Sequence, residues 1–111
     1  MEELSANQLR GKIASGQISS LEVTKAVFQR IDKLEPVIGA YISTYPDRAL
    51  ETAADIDRRI AAGQSVGRLA GVPVAIKDNM CTTFGATTCA SKILENFVPP
   101  TPVNKPANFP A

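Results

Sequence analysis

The sequence predicts an α/β protein whose strands belong to a larger sheet than these residues can build alone. Three observations carry that prediction. Two runs with helical apolar spacing stand behind the start signals Ser5-Ala6-Asn7-Gln8 and Ser19-Ser20-Leu21-Glu22. A third helical run separates the β-prone segment Ala40-Tyr41-Ile42-Ser43-Thr44 from Val72-Pro73-Val74-Ala75-Ile76, which is apolar at every position. A strand apolar on both faces needs sheet neighbours and a helix layer on each side. Two clear strands cannot supply that cover and leave sheet edges open. The expectation is therefore a piece of a larger α/β domain.

Composition narrows the function classes. The 111 residues make one domain at most. Twelve Lys+Arg against eleven Asp+Glu leave a net charge of +1, which excludes a strongly basic nucleic-acid surface. Histidine is absent, so His–Cys zinc sites and Ser–His–Asp triads are excluded with it. Cys81 and Cys89 are too few for a disulfide scaffold and lack Cys-x-x-Cys spacing, so they read as small reduced packing residues. No apolar run is long enough for a membrane helix, and no targeting segment is seen. The expected setting is the cytoplasm, or an organelle stroma or matrix.

The first helix is predicted over 5–14, with Ser5 and Gln8 as a capping box and Leu4 and Leu9 placed as a hydrophobic staple. Gly11 and Gly16 weaken or stop it. The second is predicted over 20–34, capped by Ser19 and Glu22 and stapled by Ile18 and Val23. Val23, Ala26, Val27, Ile31 and Leu34 form its buried stripe, and Pro36 is expected to end it. After the strand at 40–44, Thr44 is a cap candidate, Pro46 an early helical position and Asp47 a first-turn acid. A helix over 46–62 should stop at Gly63. Ala49, Ala53, Ile56 and Ile60 form its stripe, Asp55 is placed to pair with Arg59, and Asp57-Arg58-Arg59 reads as solvated face.

Gly63, Gly67 and Gly71 punctuate a loop without the Gly-Lys-Ser/Thr of a phosphate-binding loop. The second strand, 72–76, would then close a right-handed parallel crossover with the first. Residues 79–91 read as a loop or hairpin, followed by a short helix near Ser91 to Glu95. Five of the eight prolines fall in 99–111, which reads as an extended or disordered tail.

Chemistry concentrates directly after the second strand, at Lys77, Asp78 and Asn79. Functional groups of open α/β sheets gather at the carboxyl ends of strands. A lysine drawn into such a low-dielectric edge favours its neutral form, which can take a proton from a hydroxyl nucleophile. The competing reading is a lysine that snorkels past the strand end to solvent. Asp78 and Asn79 either orient Lys77 or the following loop, or serve as ordinary turn residues.

Gly71-Val72-Pro73-Val74-Ala75-Ile76-Lys77-Asp78-Asn79, followed by Thr87-Thr88-Cys89-Ala90-Ser91-Lys92-Ile93-Leu94-Glu95-Asn96-Phe97-Val98-Pro99-Pro100, closely resembles the amidase signature family. The second stretch resembles its tRNA-dependent amidotransferase branch. The resemblance implies that 1–98 is the N-terminal segment of an α/β/α sandwich around a mixed sheet. It implies a Ser–cis-Ser–Lys triad in which Lys77 is the lysine. It implies glutamine as substrate, split through an acyl-enzyme, with ammonia passed on to convert Glu-tRNA(Gln) to Gln-tRNA(Gln). The family partners are a B subunit that uses ATP and Mg²⁺ and a small C subunit, with tRNA met only through the complex. No cofactor or metal is expected on this chain.

The family's two serines lie in a Gly/Ser-rich segment that these residues do not contain, and Ser91 does not stand in such a context. The chain alone is therefore expected to be inactive. Two alternatives follow from the residues: a non-catalytic module that binds amidotransferase subunits, and a truncated product without function.

Overall fold

Each of the first two helices starts at the serine that the sequence nominates. The computed structural model describes residues 4–100, which fall into two compact units that divide between Pro73 and Val74. The first unit holds three helices, α1 (Ala6–Ala14), α2 (Ser20–Ile38) and α3 (Pro46–Ala61). At α1 the Gln8 amide donates to Ser5 Oγ at 3.3 Å, and the Ser5 amide donates to Gln8 Oε1 at 2.9 Å. At α2 the Glu22 amide donates to Ser19 Oγ at 3.0 Å, and the Ser19 amide donates to Glu22 Oε2 at 2.9 Å. The Ser19 backbone and hydroxyl donors hold the Glu22 carboxyl below its ordinary 4.5, with a smaller contribution from Lys25.

The second helix runs past its expected end. Pro36 lies inside α2 rather than after it, and Gly39 closes the helix in the left-handed conformation at φ 61. Proline removes one donor and clashes with the preceding turn, a cost that falls here on the final turn only. The Gly39 amide reaches back to the Glu35 carbonyl at 2.9 Å, so the glycine is the physical stop. The third helix begins at Pro46, with Tyr45 rather than Thr44 in the cap position. It ends as expected: Ala62 is the C-cap, and the Gly63 amide donates to the Ile60 carbonyl at 2.9 Å.

Residues from all three helices and one from the following loop close the first core. Ile13, Val23, Ala53, Ile56 and Ala70 are buried, Val23 completely. Fully burying a large aliphatic side chain contributes about 1.5–3 kcal/mol. Two polar contacts join distant segments here. The carboxylate of Asp57 accepts from the Ser20 amide at 2.7 Å and the Leu21 amide at 3.0 Å. Asp57 is thus a second cap on α2 and not part of a solvated face. The Ser20 hydroxyl donates to the Gly71 carbonyl at 2.8 Å. Gly71 sits at φ 84, and a Cβ there would stand 3.0 Å from Ile13 Cγ2 and 3.1 Å from Ser20 Cβ. Only glycine lets the chain pass so close to both helices. On the outer face of α3, Asp55 pairs with Arg58 at 3.0 Å, not with Arg59.

Neither expected strand forms, and no strand occurs among the described residues. Residues 40–44 and 72–76 carry no ladder, so the mixed sheet and the parallel crossover are absent from the described residues. A strand is a property of a pair: β-prone side chains stabilise it only when a neighbour accepts and donates along its edge. Val74 and Ile76, read as doubly buried, are 54% and 45% exposed.

The second unit, described from Val74 to Pro100, is a folded loop with a single 3-10 turn, Lys92–Leu94, where a short helix is expected. It closes on itself through the Thr87 amide, which donates to the Phe97 carbonyl at 2.9 Å, and the Phe97 amide, which donates to the Leu94 carbonyl at 2.9 Å. Most of the proline-rich tail, residues 101–111, lies outside the described residues.

Candidate catalytic segment around Lys77

The segment is built from a turn and a clasp. The turn is Lys77–Met80: the Met80 amide donates to the Lys77 carbonyl at 3.0 Å. This places Asp78 and Asn79 at the two central positions, where Asp and Asn are favoured. Lys77 is exposed, as the snorkelling reading requires. No strand stands beside it among the described residues, so they form no low-dielectric strand edge around it.

The clasp is made by Asp78. Its Oδ2 accepts from the Thr88 amide at 3.0 Å and also from the Thr88 hydroxyl. Its backbone carbonyl accepts from the Cys89 amide at 2.9 Å. Thr88 extends the network, its hydroxyl accepting from the Ala90 amide at 3.3 Å and its carbonyl from the Ser91 amide at 2.8 Å. Cys89 and Ala90 both lie in the left-handed region, at φ 51 and 55. For non-glycine residues that conformation costs roughly 1–2 kcal/mol each, and the bonds to Asp78 and Thr88 offset it. The residue after Lys77 therefore fixes the path of the loop ten positions further on. Thr87, beside the clasp, is buried, and its hydroxyl has no partner among the described residues.

The candidate residues are thus placed differently. Asp78 joins the two stretches that carry the family resemblance. Asn79 is an exposed turn residue. Cys81 is half-buried, as a packing residue should be, whereas Cys89 is exposed. Thr88 is the structural partner that reading the residues one at a time misses. The available signal was its place inside the second motif stretch, opposite an acid in the first.

No described helix is long and apolar enough to cross a membrane. Among the described residues no three His, Cys, Asp or Glu side chains stand together as a metal site.

Comparison with known proteins bears on the same segment. The family model described as Amidase matches residues 22–104. The chain is 52% identical over 97 residues to the glutamyl-tRNA(Gln) amidotransferase A subunit of Carboxydothermus hydrogenoformans, covering 87% of this chain and 20% of that one. It is 49% identical over 98 residues to the protein of that name from Desulforamulus reducens, covering 88% and 20%. With the Nostoc punctiforme protein of that name it shares 47% over 96 residues, covering 86% and 20%. The chain spans about a fifth of the length of the curated relatives it matches. With the family model matching residues 22–104, most of this chain, including Lys77, Asp78 and Thr88, the chain belongs to the amidase family.

Proposed function

We propose that these residues are the lysine-bearing segment of a glutaminase, the A subunit of a tRNA-dependent amidotransferase, and that Lys77 is the base of its triad. The observation that carries the reading is the Asp78–Thr88 clasp, which ties the loop after Lys77 to the second motif stretch. The identity of about one half to proteins named as A subunits of glutamyl-tRNA(Gln) amidotransferase supports it.

In this reading Lys77 draws a proton from a relay serine, which in turn draws one from the nucleophilic serine. The serine oxygen bonds to the amide carbon of glutamine, and the C–N bond breaks as the nitrogen takes the proton and leaves as ammonia. Water then releases glutamate from the acyl-enzyme. The B and C subunits of the same enzyme are the proposed partners. ATP and Mg²⁺ are assigned to the B subunit. No serine of this chain is assigned a triad role.

Two measurements test the reading. The 111-residue polypeptide by itself should hydrolyse no more glutamine than its Lys77→Ala variant; turnover above that control contradicts it. Residues 22–100, exchanged for the matching segment of the Carboxydothermus relative, should leave glutaminase activity within about tenfold of the parent. A folded but inactive chimera would overturn the assignment.

A second reading, a non-catalytic module that binds amidotransferase subunits, is favoured by one observation. At the end of α2 the adjacent Val37 and Ile38 are 88% and 62% exposed, apolar surface that a partner could cover. Failure of the purified B and C subunits to retain the chain would exclude it.

A further inference from the structure

The first unit carries a depression that the amidase reading does not use. It has a volume of about 360 Å³ and is lined by Asn7, Arg10 and Gly11 of α1 and by Arg68 of the loop after α3. Three features of it point to a ligand.

The first is charge. Neither guanidinium has a hydrogen-bond or ion-pair partner among the described residues. Neither of the two flanking stretches, 4–21 and 58–77, contains an acidic residue. Two arginines that line one depression, with no acidic partner among the described residues, attract an anion.

The second is the glycine. Gly11 lies inside α1, where glycine weakens a helix relative to alanine. Packing does not require it: a Cβ at Gly11 would meet nothing within 4 Å. This is the opposite of Gly71, whose Cβ would strike Ile13 and Ser20. Gly11 lines the same depression as the two arginines, and the lack of a side chain leaves the helix backbone open to a ligand there.

The third is the donor set. Arginine offers a planar fork of donors, and the Asn7 amide adds two more, which suits the several acceptor oxygens of a phosphate.

We propose that Asn7, Arg10, Gly11 and Arg68 form a binding site for a phosphate group. The group belongs either to a small phosphorylated molecule or to a nucleic-acid backbone. None of these four residues enters the glutaminase reading, and the proposal does not depend on it.

The test is an amide NMR titration of the 111-residue chain at constant ionic strength, one arm with inorganic phosphate and one with a short unstructured RNA. Saturable shifts should centre on Asn7 to Lys12 and on Gly67 to Leu69. Response to phosphate assigns a small ligand, and response to RNA alone assigns the backbone of a nucleic acid. Arg10→Gln and Arg68→Gln should each weaken binding about tenfold. Gly11→Ala should raise the melting temperature yet weaken binding, a divergence that a merely structural glycine would not produce. No saturable shift in either arm overturns the proposal. So does binding that survives the double arginine variant, or shifts spread evenly over the surface cations.

Discussion

The two units of this chain are held together by different means. Residues 4–73 bury Ile13, Val23, Ala53, Ile56 and Ala70 between three helices and the loop that follows them. Residues 74–100 have no fully buried apolar side chain and no regular element beyond one 3-10 turn. They are shaped by hydrogen bonds radiating from Asp78, Thr88 and Thr87. The helical unit buries only part of the expected stripes, Val23 on α2 and Ala53 and Ile56 on α3, while Val37 and Ile38 at the end of α2 stay more than half exposed. The motif-bearing unit leaves Val74, Ile76, Met80, Ile93 and Val98 more than two-fifths exposed. Helices complete their hydrogen bonds within a segment, whereas strands depend on partners. One unit can therefore reach its structure from local signals and the other cannot.

Substitutions should separate the two units. The largest loss of stability is expected for Gly71→Ala, about 2–3 kcal/mol, because the new Cβ meets both Ile13 and Ser20 at a positive φ. Urea denaturation followed by helical circular dichroism measures it. Val23→Ala should follow at about 2 kcal/mol in the same assay, from lost burial and the space left behind. Asp57→Ala should cost about 1–2 kcal/mol, since it strips the acceptor from two amides at the start of α2. If Asp57→Ala is silent, the link between α2 and α3 is a surface contact only.

In the motif-bearing unit the expectation inverts. Thr88→Val should leave the helical melting curve unchanged while shifting the amide resonances of Cys89, Ala90 and Ser91 and speeding their exchange. A drop in helical stability would mean that the two units are not independently held.

The smallest effect concerns pH. The Glu22 carboxyl is lowered from its ordinary 4.5 by its bonds to Ser19, so its contribution is present above that value. It is lost as pH falls through the lowered value in the folded chain. Glu22→Gln should flatten that acid-side slope in the melting temperature and leave neutral pH nearly untouched.

What could be read in advance follows the same division. Both capping boxes and the Gly63 stop were legible because all their partners lie within a few residues. Pro36 misled because a proline in a last turn costs little, and Gly39 three residues later sets the end. The Asp57 cap was illegible: its partners Ser20 and Leu21 lie 37 and 36 residues away, and helical spacing placed Asp57 among surface charges. Val72–Ile76 has a strand's composition, but composition cannot supply the neighbouring strand. Lys77 was legible as a candidate from its position and from the motif around it. The role of Asp78 emerged only when Thr88 was found on its carboxylate.

The central claim is that Lys77 is the base of an amidase site and that Asp78 positions the loop after it. The most direct measurement is the glutaminase rate of the chimera carrying residues 22–100, compared with its Lys77→Ala and Asn79→Ala variants. Lys77→Ala should lower kcat on the order of 10⁴-fold with the fold intact, and Asn79→Ala by less than about tenfold. A folded Lys77→Ala chimera that keeps most of its activity would contradict the account.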